Sequence, residues 1–335
     1  MNLEQPPHPY HPLGTSFHYY VPYMIFSIFV PLIPAITLSI LIVQFFASLL
    51  ILCLLYQFFL EIFQLTSKQS LVLVAVYDFL FISPFLLLAV SEILFLFYQL
   101  LAWSCFIRRH YFFSAIATAM CFAVRFNGAF FVVGMLLVFI IKGWKSEVIS
   151  LRLLIKAGIT TILMFIIGFS SFILSWAVFG DFWLPLKAQS LEYQKFQGYA
   201  SAGLFSIPFS WWPSYFQWVV LSNSLFELLY FILGIFTLVL GLASLYKLFK
   251  WQSEDNTEYK YNLTLIYVCG FLGVNLLVSG SNFARFLSYT FPVFPIFPLW
   301  LLNRYLRDFD IFVLLFGSTI WGILFNVGWW MTYPL

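Results

Sequence analysis

Arg125 sits where a charge is costly. Between Tyr111 and Ile141 it is the only charged residue, and the helix-breaking step Asn127-Gly128 follows almost at once. A charge at mid-bilayer depth costs ~2.5–3.5 kcal/mol even on lenient insertion scales, so it persists where water, a partner or a ligand meets it. Arg125-Phe126-Asn127-Gly128 therefore reads as a polar break in an apolar hairpin, opening into an aqueous site. Arg285 lies in Gly280-Ser281-Asn282-Phe283-Ala284-Arg285-Phe286, just ahead of Pro292 and Pro295. Two guanidinium groups aimed at one cavity suit a phosphate, whose oxygens they meet bidentately. Singly, each reads equally well as an interfacial residue whose charged head snorkels to water.

The acids near these arginines are few. Glu92 follows Ser91 and the Ser83-Pro84 break, where a carboxylate can bind a sugar hydroxyl, a metal ion or a cation such as Arg125. The plainer reading of Glu92 is a structural ion pair or a hydrogen-bonded helix end. Gly180-Asp181 opens a long loop, 180–208, that continues through Lys187 and Gln189 towards Trp211-Trp212-Pro213. Polar groups interleaved with flat aromatic faces suit carbohydrate or lipid headgroups, although the tryptophan pair fits an interfacial aromatic belt better. Glu61 and Asp78, inside apolar runs, read as helix-packing groups. The cysteines Cys53, Cys105, Cys121 and Cys269 lack CxxC spacing, and the four histidines have no carboxylate at ligand spacing, so no metal is assigned.

Composition sets the elements that must position these residues. The chain of 335 residues is 63% hydrophobic and 9% charged, with mean hydropathy +0.96, far from the roughly 25% charge of soluble domains. The class expected is an all-α polytopic integral membrane protein of about ten to twelve helical segments. The basic residues are scattered between apolar runs, which excludes a nucleic-acid-binding surface. No basic n-region precedes an apolar run at the start, so no cleavable signal is expected.

Residues 1–20 hold Pro6, Pro7, Pro9 and Pro12 and read as a polar arm; residues 21–335 form one transmembrane helical domain. Apolar segments fall at 21–36, 37–65, 71–86, 88–106, 111–124, 128–141, 153–179, 209–223, 224–248, 261–279, 289–303 and 311–333. Those flanking Ser83-Pro84 and Arg125 are too short for a ~30 Å core, and broken helices persist in membranes only beside protein or water. The prolines at 22, 31 and 34 favour a surface or re-entrant path over 21–36. Threading the chain from 71 onward, with 209–248 counted as one crossing, places Lys68, Arg108, Arg109, Lys142, Lys145, Arg152, Lys156, Lys247, Lys250, Lys260, Arg304 and Arg307 on one face. The other receives Arg125, Lys187, Lys195 and Arg285, so the first face is cytoplasmic and every candidate motif lies on the opposite one. The sequon Asn262-Leu263-Thr264 falls at a cytoplasmic helix start, where glycosylation is not expected.

Taken in order, Ser83-Pro84, Ser91-Glu92-Ile93-Leu94-Phe95, Arg125-Phe126-Asn127-Gly128 and Arg285-Phe286 before a Pro-rich helix resemble the PIG-V family. That family comprises the second mannosyltransferase of GPI-anchor assembly and its prokaryotic relatives, and the 180–189 loop looks more like the latter. The resemblance covers residues from about 20 to 300 and implies a multi-pass glycosyltransferase of the GT-C type. Such an enzyme takes mannose from a dolichyl- or polyprenyl-phosphate donor on the non-cytoplasmic side and delivers it, with inversion, to a glycolipid acceptor. The implied host is the endoplasmic reticulum membrane in a eukaryote or the inner membrane in a bacterium. A carboxylate would serve as general base, and cationic or metal contacts would stabilise the departing lipid phosphate. Arg125 and Arg285 suit the second role, with Asn127, Lys187 and Gln189 as further substrate contacts. Beyond the donor itself, the resemblance fixes no cofactor.

One departure bears on catalysis. Family members begin with a membrane helix and an external loop whose Trp-Asp type motif supplies the carboxylate. Residues 1–20 contain Glu4 alone as an acid, and Tyr19-Tyr20-Val21-Pro22 resembles the segment that closes that loop. The expectation is a start lacking the helix and loop, with Glu92 and Asp181 left to substitute. Two other readings compete: a non-catalytic lipid-binding subunit, for which a small membrane partner is expected, and a solute transporter, whose broken helices also line a cavity. No repeat between halves supports the transporter.

Overall fold

The computed structural model describes residues 34–78, 92–124, 128, 162, 165–183, 239–248, 259–260, 262–269 and 320. Within them the secondary structure is helical, and no strand occurs among the described residues. Helix α1 runs Pro34–Glu61. The sequence pattern instead grouped Pro34 with the proline-rich 21–36 stretch. Within α1, Leu41–Glu61 is the one helix among the described residues long and apolar enough to cross a membrane. Its 21 residues rise about 31 Å, against a hydrocarbon core of ~30 Å.

Two hairpins follow. After Glu61 the chain reverses through Gln64, which adopts a positive φ of 52°, and Leu65 N–H donates to Phe59 O at 3.1 Å. Thr66 then starts α2, Ser67–Tyr77, with a reciprocal capping box. Gln69 N–H donates to Thr66 Oγ1 at 3.3 Å, and Thr66 N–H donates to Gln69 Oε1 at 3.1 Å. The capping box starts the helix ahead of the apolar run at 71, because the polar first turn carries no hydropathy signal.

Helices α3, Glu92–Ile107, and α4, Tyr111–Val124, are joined by Arg108-Arg109-His110. Arg109 takes the left-handed conformation, φ 64°, and His110 N–H reaches Cys105 O at 2.8 Å, closing the α3 carboxyl end in a Schellman-type cap. So short a link forces α3 and α4 antiparallel. They pack closely because α4 buries small residues, Ser114, Ala117, Thr118 and Cys121, at helical spacing. Near the turn Ser114 Oγ–H donates to Ala102 O at 2.7 Å; near the open end Cys121 Sγ lies 3.5 Å from Phe95 O, with the thiol as donor.

Helix α5, Ser170–Phe179, ends at Gly180, whose φ of 70° and N–H bond to Trp176 O at 2.9 Å form a left-handed cap. A further apolar helix, Val239–Leu248, and the helical residues 262–269 complete the described part. The latter join α3 through Trp103, which is fully buried. Its ring stacks between Phe106, 5.3 Å away, and Tyr267, 4.3 Å away, while Nε1–H donates to Thr264 Oγ1 at 2.9 Å.

Candidate functional site

The hairpin geometry decides where the site residues can meet. Because α3 and α4 are antiparallel, the start of α3 and the end of α4 lie together, far from Arg108-Arg109-His110. The Phe95–Cys121 contact pins them one turn inside that open end. Glu92 is the first residue of α3, and Val124, the last of α4, immediately precedes Arg125.

Gly128 records the break beyond α4. A Cβ added there would collide with the carbonyl of Cys121 and the amide nitrogen of Phe122. On a continuing helix, positions seven apart are separated by about 10 Å. α4 therefore does not continue straight to 128; Gly128 is folded back against its last turns. Only a residue without Cβ permits that approach.

The stretch 181–183 comes to the same end through an aromatic cluster. Phe122 of α4 meets Phe169 at 4.9 Å edge-on and Phe172 at 6.3 Å, its ring occupying the space beside Gly168. Phe172 in turn holds Phe182 at 5.5 Å, and Phe182 holds Trp183 at 5.2 Å. Asp181 is half-buried there, and its Oδ1 accepts the Trp183 N–H at 3.0 Å. This is an Asx turn, in which the carboxylate shapes the backbone after the α5 cap. The structure thus brings the Glu92 position, the chain entering Arg125, and Asp181 to one end of the described helices. Arg125, Asn127, Lys187, Gln189 and Arg285 lie outside the described residues, as does the side chain of Glu92.

The opposite end carries Arg108, Arg109 and Lys68. Arg108 Nη2–H donates to Glu61 Oε1 at 2.8 Å and to Gln57 Oε1 at 3.0 Å, while Nη1–H bonds Ser104 Oγ, tying α3 to α1. Lys68 opens α2 immediately beyond the same turn. The sequence placed Glu61 among helix-packing groups without naming a partner, and only the positive residue forty-seven positions later identifies it. Trp103 was likewise unmarked, and Thr264 was singled out only as part of the sequon. The available signal was an indole N–H inside an apolar run, which needs an acceptor when buried. Asn262 and Thr264 of the sequon are both buried. Among the described residues, no group of three or more His, Cys, Asp or Glu is placed to hold a metal ion. No family model matches the chain, and neither does any curated protein or solved structure.

Proposed function

We propose that this chain is a polytopic membrane glycosyltransferase of the GT-C type, related to the PIG-V mannosyltransferases. It would move mannose from a dolichyl- or polyprenyl-phosphate donor to a lipid-linked, GPI-precursor-like acceptor on the non-cytoplasmic face. The observation that carries this reading is the meeting of the Glu92 position, the α4 end before Arg125, and Asp181 at the end opposite the basic turn. A carboxylate, Asp181, at the end of apolar helices opposite a basic turn suits a polar site facing away from the cytoplasm. The membrane setting is supported by α1, which is apolar on both faces. It buries Ala47, Ile51, Leu55 and Phe58 while exposing Phe45, Phe46, Leu49 and Leu50. A helix hydrophobic all round, with one face outward, needs an apolar surrounding medium.

In the proposed reaction the acceptor hydroxyl attacks the anomeric carbon of the donor sugar. The bond from that carbon to the phosphate oxygen breaks, the acceptor proton passes to a carboxylate, and the lipid phosphate leaves with the bonding electrons. Glu92 is the first candidate for the base, and Arg125 and Arg285 would hold the leaving phosphate. Electrostatic stabilisation of that kind is commonly worth 10²–10³ in rate per donor, as a rough guide. The test is complementation of cells lacking the second GPI mannosyltransferase, followed by Arg125→Ala and Arg285→Ala. Rescue by the wild type and its loss in both variants, with membrane insertion intact, is the expected result. Full rescue by both variants removes the arginines from the mechanism.

A second reading, a lipid-binding subunit without transferase activity, is favoured by one observation. The Asp181 carboxylate is engaged in the Asx turn, which leaves one fewer acid for the base. Lipid binding without rescue, together with a co-purifying membrane partner, would select it.

A further inference from the structure

At the basic end of the α3–α4 hairpin, six consecutive residues are exposed: Arg108, Arg109, His110, Tyr111, Phe112 and Phe113. The next residue, Ser114, is buried against Ala102. The order is chemical as well as sequential, with two guanidinium groups and an imidazole in the turn, then three aromatic rings on the first turn of α4. We infer that this run is a docking surface for anionic phospholipid headgroups, a reading that rests on the membrane setting proposed above.

The aromatic rings point to a surrounding medium rather than a groove. Successive helical residues are turned about 100° apart, so Tyr111, Phe112 and Phe113 fan over more than half the circumference of α4. Tyr111 leans edge-on against Phe106 at 5.5 Å, and Phe112 and Phe113 meet at 5.7 Å, yet Phe113 remains 63% exposed. One folded partner would cover one side of such a collar. The interfacial layer of a bilayer covers all of it, and rings of this kind settle at headgroup depth.

Charge selects the class of lipid. Arg108 bonds Glu61 at 2.8 Å, and Arg109 and Lys68 are likewise exposed at this end. A basic cluster immediately beyond an aromatic collar attracts anionic headgroups over zwitterionic ones, with a gain that screening by salt removes.

The test reads the lipid at the site itself. The full chain, with a benzoylphenylalanine photocrosslinker in place of Phe113, is reconstituted in bilayers of phosphatidylcholine with a minority of phosphatidylglycerol. Adducts are then identified by mass spectrometry. Phosphatidylglycerol adducts should exceed their bulk share, and Arg109→Gly should lower that enrichment about fivefold. Arg109→Lys should preserve it, and high salt should weaken it in the parent chain. Glycine suits the left-handed backbone at 109, so a loss in that variant reports charge rather than folding. Enrichment that is absent, or unchanged in Arg109→Gly, overturns the inference while leaving the membrane reading standing. Adducts to protein alone overturn it in favour of a protein partner. A chain that alkaline carbonate strips from the bilayer overturns the membrane reading and this inference with it.

Discussion

Gly128 shows how much one missing atom can fix. The sequence read Asn127-Gly128 as a helix breaker after Arg125, and Gly128 is folded against the Cys121–Phe122 peptide. What the residue types did not reveal was that the glycine serves close approach to backbone, which cannot rotate aside as a side chain can. Gly128→Ala should therefore destabilise the protein by about 1–3 kcal/mol, the usual cost of overpacking. It should also displace the chain entering Arg125. Thermal unfolding in detergent should fall clearly for this variant, whereas Gly180→Ala meets open space and is strained only by its backbone angle. A Gly128→Ala protein as stable as its parent would mean that the break is not held by this contact. Asp181 carries the complementary lesson. Its type and its place after Gly180 made it a candidate acid, but an Asx turn depends on the Trp183 amide two residues on, and nothing in the residue types says which of the two uses the carboxylate will serve.

The helix pair α3–α4 was the most legible element, since the 111–124 segment starts where α4 does, at Tyr111. The charges at 108–110 interrupt the apolar runs, so the turn between the two helices is written in residue type. The inner bounds of the segments 37–65 and 71–86 differ from the described end at Glu61 and start at Ser67 because capping and turn chemistry, not hydropathy, set those boundaries. Pairing of α4 on α3 depends on the small residues of α4. Ser114→Leu would push a branched side chain into the site where the hydroxyl meets Ala102 O, 2.7 Å away. It should destabilise the hairpin by about 1–3 kcal/mol. Ser114→Ala should cost much less, about 1 kcal/mol for one hydrogen bond. Chemical denaturation of the two variants side by side checks this, and equal losses would show that close approach is not what Ser114 provides. The Arg108–Glu61 pair between α3 and α1 belongs to a different category. Its partners are 36% and 53% exposed, so removing it should change stability by less than about 1 kcal/mol.

Across the whole molecule the decisive property is polarity from end to end. In sequence that axis is an expectation, twelve basic residues on one threaded face against four on the other, of which Lys68, Arg108 and Arg109 lie at the described turns. In the structure the α1–α2 turn and the α3–α4 turn come together through Glu61 and Arg108, while Glu92, Val124 and the 181–183 stretch gather at the far end. Contacts such as Trp103 with Thr264, separated by 161 positions, were not legible, because an apolar run records its length but not its neighbour. If a bilayer surrounds these helices, the two ends face different compartments. In a background with Cys53, Cys105, Cys121 and Cys269 replaced, His110→Cys and Trp183→Cys should then react with a membrane-impermeant maleimide from opposite sides of sealed vesicles. Both positions are exposed, so access is set by the membrane rather than by burial. Labelling of both from the same side would mean that α4 and α5 do not separate two compartments. The site formed near Glu92 and Asp181 would then open to the same solution as the basic turn, and a donor presented on the far side of the membrane could not reach it.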